Sequence, residues 1–277
     1  MSEREVVGWF TMNGNHIPIF KGESQQDAVN RAIADSNEKQ KQSDIAKNKK
    51  QADKLNGKDG DYKVFPKGYP PDMWLDDPEV SNNTSWIDTY KTKEDRVEVT
   101  DALWRYTSRS YKTVNDALYN KPWDKISDET KQEISMLQGA INRYEVHKGI
   151  EVTRQSDFVM LGAEEFEKMT LQQVKDFFSA TDGIVQNDAF MSFSFDDTGR
   201  AIMGHSGLVT HLRIPPAKGA GMYIAPYSGH PSEREYLLNN NAILKYDLDK
   251  ITQTEDGKIH VYADWLGQAD KRTIDRR

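Results

Sequence analysis

Met222-Tyr223-Ile224-Ala225-Pro226-Tyr227-Ser228, followed closely by Pro231-Ser232-Glu233-Arg234-Glu235-Tyr236-Leu237-Leu238, is the stretch on which the reading of the fold turns. Two apolar runs stand either side of a short Ser, Gly, His and Pro loop, with no room for the helical crossover that parallel strands demand. Glu233 and Glu235 flank Arg234 directly before the second run. If this segment enters a strand, both carboxylates project from one face, two residues apart. Like charges held together are costly unless a site uses them, as in glycosyl transfer, where a cationic sugar must be stabilised. An exposed Glu-Arg-Glu strand start is the plainer alternative.

The same alternation extends in both directions. Glu151 to Arg154, Phe190 to Phe195, Leu208 to Ile214, Tyr236 to Tyr246 and Ile259 to Trp265 run apolar or alternate between Gly, Pro and Asp-Gly punctuation, as strands do. Upstream the period changes. Ala102, Leu103 and Tyr106, then Tyr111, Val114 and Leu118, recur at helical spacing, with Thr107-Ser108 read as a break and cap between them. Ile134, Leu137 and Ile141 mark another helix, and Leu171, Val174, Phe177 and Phe178 a further one. Helices followed by strands predict an α+β domain with a largely antiparallel sheet.

At the start of the chain, Asn13-Gly14-Asn15 between Trp9 to Met12 and His16 to Phe20 reads as a β-hairpin, with Pro18 making the second strand an edge. Ser24 can cap a helix whose apolar face is Ala28, Val29, Ile33 and Ala34. From Asp35 to Tyr62 the composition is polar, as in a solvated helix or a linker. The expected division is 1–65 as a small hairpin plus polar segment, and 66–277 as the main domain.

Composition narrows the chemistry. The 277 residues carry 37 Lys+Arg against 44 Asp+Glu, a net charge of −7, and this mildly acidic balance argues against phosphate neutralisation as the main task. No cysteine is present, which removes disulfides, thiolate zinc sites and cysteine nucleophiles together. His16, His147, His205, His211, His230 and His260 are scattered with no metal-ligand spacing, so no metal is expected. Gly204-His205-Ser206-Gly207-Leu208 lacks the last glycine of a nucleophile elbow and reads as a turn. Gly219-Ala220-Gly221 lacks a third glycine at Ile224 and reads as the chain turning into a strand. Asp196-Asp197-Thr198-Gly199 is a turn signal. The first residues lack a secretory pattern and no apolar stretch approaches the roughly 18 residues of a membrane span, which predicts a cytosolic protein.

Taken in order, four segments resemble the ADP-ribosyltransferase family of the arginine–serine–glutamate class, the group of bacterial exoenzyme toxins and phage-encoded transferases. Glu151-Val152-Thr153-Arg154 is similar to the first core strand, which ends in an NAD-binding arginine. Phe190-Met191-Ser192-Phe193-Ser194 is similar to the Ser-Thr-Ser strand, with Phe193 in the middle position. Met222 to Ser228 and Pro231 to Leu238 resemble the turn-turn loop and its Glu-x-Glu, while Tyr106-Thr107 with Tyr111, Asn115 and Leu118 resembles the helical segment over the adenosine side. The resemblance implies an α+β fold with a split core of mainly antiparallel sheets and helices before it.

It further implies NAD as co-substrate, no metal, and arginine on a target protein as acceptor, with nucleic acid left open as an acceptor. By position, Glu235 is the implied catalytic glutamate, held by Ser192, and Glu233 is the acceptor-side carboxylate. Arg154, Gln155, Ser192, Ser194, Tyr111, Asn115 and Arg200 are the implied NAD contacts; Gln155 stands where the family often has glycine. Tyr227, Ser228 and His230 are the implied contacts to the protein substrate. The N-terminal hairpin is similar to a piece of phage head-associated proteins, which implies a phage or prophage origin, virion association and action in a bacterial cytoplasm. An NAD glycohydrolase and an inactive virion structural or binding protein are the rival readings.

Overall fold

The computed structural model describes residues 5–12, 15–24, 26–28, 31–32, 71–158, 161, 168–195 and 207–269. The chain forms two compact units, Met1–Lys47 and Asn48–Arg277. In the first, β1 (Val6–Met12) and β2 (Asn15–Phe20) pair antiparallel with Trp9 opposite Pro18. With only two strands both are edges, so Pro18 costs no interior ladder bond. Ser24 Oγ accepts from the Asp27 amide at 3.2 Å, the capping bond its sequence predicts. The Asn13-Gly14 turn, Val29, Ile33, Ala34 and the polar segment 35–62 lie outside the described residues.

The second unit opens with α1 (Pro71–Leu75), α2 (Lys93–Arg105), α3 (Tyr111–Asn120) and α4 (Asp128–Ile141). Then come β3 (Glu145–Val146), β4 (Ile150–Ser156), α5 (Leu171–Ala180), β5 (Ile184–Asn187), β6 (Met191–Ser194), β7 (Leu208–Ile214) and β8 (Ala217–Lys218). β9 (Gly221–Tyr223), β10 (Glu235–Leu238), β11 (Ala242–Tyr246), β12 (Thr252–Gln253) and β13 (Ile259–Gln268) complete it. Thr92 caps α2 through the Asp95 amide at 3.0 Å, Ser127 caps α4, and Thr170 with Gln173 forms a full capping box on α5. The apolar stripes go inward as their spacing requires: Val99, Ala102 and Leu103; Ile134, Leu137 and Ile141; Val174 and Phe178 are all buried.

Three expectations change. Thr107-Ser108 neither breaks nor caps a helix: α2 runs into α3 through a π-helical turn, Tyr106–Ser110, in which the Tyr111 amide bonds to the Tyr106 carbonyl five residues back. Tyr236 to Tyr246 is two strands, because Asn241 takes a left-handed φ of 58° between β10 and β11. Of the first apolar run, Met222 to Pro226, which the alternation reads as strand, only Met222 and Tyr223 are strand, in β9 (Gly221–Tyr223), since Pro226 sits in a 3-10 turn, Ala225–Tyr227.

The strands follow the order β5-β11-β13-β7-β4-β6-β10-β9, with β12 on β13. All of these pairs are antiparallel save β7 with β13. The sheet is split. β4 pairs with β7 over seven residues from Ile150 to Ser156, but meets β6 only at Thr153↔Ser194. Among the described residues the two half-sheets therefore join at one residue pair, and the helices close over them to bury Trp86, Leu103, Tyr106, Phe193, Tyr223 and Tyr236 in one core.

Gly219 turns the chain with φ 79°, and Gly221 begins β9 where no side chain fits. A Cβ there would lie 2.4 Å from Tyr236 Cε1 and 2.7 Å from the Leu237 carbonyl. Gly221→Ala is expected to destabilise the domain by about 1–3 kcal/mol. An unchanged melting temperature would contradict the packing of β9 on β10.

Candidate active site

Glu235 opens β10 opposite Ser194 and is only 4% exposed. Glu233 is not on that strand. It ends a 3-10 turn, Pro231–Glu233, and Arg234 follows in the left-handed conformation at φ 50°, ψ 45°. The expectation of two carboxylates on one strand face is thus corrected: the Glu-Arg-Glu segment is a turn feeding a strand, with a buried second glutamate and a partly exposed first one. Left-handed backbone disfavours an arginine, so neighbouring bonds must hold it. The Arg234 amide reaches the Pro231 carbonyl at 3.2 Å, the Phe195 amide reaches the Arg234 carbonyl at 3.3 Å, and Ser194 Oγ donates to the Glu233 carbonyl at 2.9 Å. The Ile224 amide binds the Glu235 carbonyl at 3.0 Å, which fixes the backbone of Glu235 from the other side.

Burial pushes the Glu235 carboxyl up to about 7, and the nearby Glu233 charge adds to this; the Ser192 hydroxyl bond and the Arg154 charge oppose it. Arg154, near the end of β4, crosses the split: its Nη1 donates to the Ser192 carbonyl at 2.7 Å. Tyr106 faces the same region from the π-helical turn. Its buried hydroxyl takes a hydrogen bond from Asn115 Nδ2 at 3.2 Å. Burial holds that phenol far above its ordinary range, and the Glu235 charge reinforces this. Burial also raises the Tyr119 phenol, against the pull of Arg154, and its hydroxyl donates to Asn187 Oδ1 at 2.6 Å.

The structure therefore gathers Arg154, Ser192, Glu235 and Glu233, and brings in Asn115 through Tyr106. Ser194 is buried, and its hydroxyl is engaged by the turn before Glu235. Gln155 follows Arg154 in β4 opposite Val209. Tyr111 packs against the core, with the Lys112 ammonium 5.9 Å from its ring. Tyr227 sits edge-on to Trp86 at 5.5 Å, Ser228 Oγ accepts from the His230 amide at 2.9 Å, and the His230 side chain is exposed. Arg200 lies outside the described residues, as do 196–199 and 204–206.

Sequence reasoning placed Tyr106-Thr107 in the helical segment over the adenosine side but missed the Tyr106 hydroxyl as a neighbour of Glu235; the signal available was a polar tip on an otherwise apolar helix stripe. It also missed a pairing of scattered histidines. His211 Nε2 lies 2.9 Å from His260 Nδ1, because β7 and β13 run parallel with His211 opposite Tyr262, two residues beyond His260 and on the same face. Among the described residues no group of three His, Asp or Glu gathers to hold a metal ion. Nor is any described helix long and apolar enough to cross a membrane.

A dinucleotide with an anionic pyrophosphate suits this donor set. Arg154 keeps a buried Nε–H that can donate to the anion, and Asn115 a buried Oδ1 that can accept from a hydroxyl or amino group, both with no hydrogen-bond partner among the described residues. Here a guanidinium bridges the split sheet beside a buried, serine-bonded glutamate. The ADP-ribosyltransferase exoenzyme family matches residues 82–267, two thirds of the chain, and the chain belongs to it. The family uses NAD as co-substrate. Among curated proteins, none matches by sequence.

Solved structures with this fold include Plx2a, an ADP-ribosyltransferase toxin from Paenibacillus larvae, at 19% identity and TM-score 0.57, covering 70% of this chain and 94% of that one. The C3 exoenzyme of Clostridium limosum is similar at 16% identity and TM-score 0.58, covering 74% and 98%. C3stau2 from S. aureus, solved with NAD, is similar at 18% identity and TM-score 0.53, covering 74% and 99%.

The native Glu235 carboxyl binds its proton more tightly than the ordinary carboxyl at 4.5. Ionising it therefore costs stability as pH rises from about 4.5 to 7, a cost absent below that window and on the order of 3 kcal/mol above it. Glu235→Gln should melt at a higher temperature than the parent at pH 8, with the gap narrowing by pH 5. A variant less stable than the parent at pH 8 would mean that the carboxylate's partners outweigh its burial.

Proposed function

We propose that this chain transfers a single ADP-ribosyl group from NAD to an arginine of a target protein. The observation that carries the reading is the pairing of a buried Glu235, bonded by Ser192 and near Arg154, with a partly exposed Glu233 on the turn just before it. Two carboxylates in such different surroundings suit two different tasks.

NAD supplies the ADP-ribosyl group and a neutral nicotinamide leaving group. Arg154 holds the pyrophosphate, to which a planar guanidinium is suited. Ser192 keeps the Glu235 carboxylate oriented. Ionised Glu235 accepts a hydrogen bond from a ribose hydroxyl and stabilises the positive charge that develops at the reacting carbon, an effect that exclusion of water strengthens. Glu233 orients the acceptor guanidinium and takes its proton as the new carbon–nitrogen bond forms and the bond to nicotinamide breaks. Tyr227, Ser228 and His230 lie on the loop that leads into Glu233, which suits contact with the acceptor protein.

The pH dependence follows from the same groups. Nicotinamide release should rise with pH through the region near 7 as Glu235 ionises. Ser192→Ala removes a bond that favours the charged form and should move the profile to higher pH; Glu233→Gln removes a repulsion and should move it lower. Opposite displacements would contradict the assignment.

Agmatine, a small guanidine, tests the acceptor. Glu233→Gln should lower ADP-ribosyl-agmatine formation about 100-fold while NAD hydrolysis persists. Unchanged agmatine transfer would remove Glu233 from this role. Nicotinamide release by the parent with no agmatine adduct would replace the arginine reading with NAD hydrolysis.

A further inference from the structure

We propose that the π-helical turn Tyr106–Ser110 sets the position of the acceptor loop, with Thr107 as its positioning residue. The proposal rests on the reading of Glu233 as the acceptor-side carboxylate.

The turn faces two ways. Tyr106 points inward to Asn115 and the Glu235 region, while the next two residues meet the loop that ends at Glu233. The Thr107 hydroxyl is oriented by its own helix: it donates to the carbonyls of Leu103 at 3.2 Å and Trp104 at 3.1 Å. Its proton is thereby committed, and its lone pair accepts the Gly229 amide at 3.0 Å, across 122 positions of sequence. Gly229 is pressed closely against the turn. A Cβ there would lie 2.3 Å from Ser108 Oγ and 3.6 Å from Trp104 Nε1, so a larger residue would require the Ser108 hydroxyl to turn away. From Gly229 the backbone passes to His230, whose carbonyl accepts the Glu233 amide at 3.0 Å. A continuous path of bonds thus runs from Thr107 through Gly229 and His230 to Glu233. A π turn inserts one residue into a helix and rotates the residues beyond it, and such turns recur at functional sites. Here it lets adjacent residues serve the buried carboxylate and the loop together.

Thr107→Val removes the hydroxyl with little change of shape, and Thr107→Ser keeps it. For each, ADP-ribosyl-agmatine formation and NAD hydrolysis are measured side by side, with melting temperature as a check on folding. Thr107→Val should lower the ratio of transfer to hydrolysis at least tenfold, mainly through kcat for transfer, and Thr107→Ser should restore it to within threefold of the parent. Proportional loss of both activities, which is what a purely structural role gives, would overturn the proposal, as would an unchanged ratio. A parent chain that hydrolyses NAD but forms no agmatine adduct would instead remove the arginine reading, and this inference with it.

Discussion

Among the described residues a single pair, Thr153↔Ser194, joins the two half-sheets, and the site is organised around the gap that this narrow junction leaves. A full ladder between β4 and β6 would place backbone where Arg154 now reaches across to the Ser192 carbonyl. The same opening lets Glu235, opposite Ser194, stand buried within reach of the Arg154 charge. Burial of a carboxylate is unfavourable, and the surroundings offset only part of that cost. The strain in the site is local: a left-handed Arg234, fixed by Ser194 and Phe195, and a carboxyl that holds its proton to about 7.

From this constraint comes a division of labour between two glutamates of identical chemistry. Glu235 lies in the low-dielectric interior, where its charge acts strongly on whatever stands beside it. Glu233 is turned out by the 3-10 turn and partly exposed, and in the role proposed for it would meet an acceptor without that desolvation. The nearby Glu233 charge raises Glu235 further. The helical layer belongs to the same device, since Tyr106 borders the buried glutamate and Thr107 fastens the loop that carries the exposed one.

Much of this was legible in the sequence. The stripes Ala102-Leu103-Tyr106 and Ile134-Leu137-Ile141 gave helices, the alternation around Arg154 and Ser192 gave strands, and their order implied an α+β fold. What escaped was geometry without a compositional marker. An arginine in left-handed backbone has no signature, so Glu233 and Glu235 read as one strand face. The π turn at Tyr106–Ser110 read as a break, because an inserted residue shifts the stripe without ending the helix. The closeness of His211 and His260 depends on β7 and β13 lying side by side in parallel, a pairing of distant segments that local pattern does not encode.

The central claim is that the Glu235 pocket transfers ADP-ribose to protein, and radiolabelled NAD tests it most directly. The purified chain and its Glu235→Gln variant are incubated with labelled NAD and a bacterial lysate, and protein-bound label and free nicotinamide are both read. The account predicts label on a discrete protein band, released by reagents that cleave arginine linkages and lost in the variant together with nicotinamide release. Label or nicotinamide release undiminished in Glu235→Gln, or neither product from the parent chain, would contradict it.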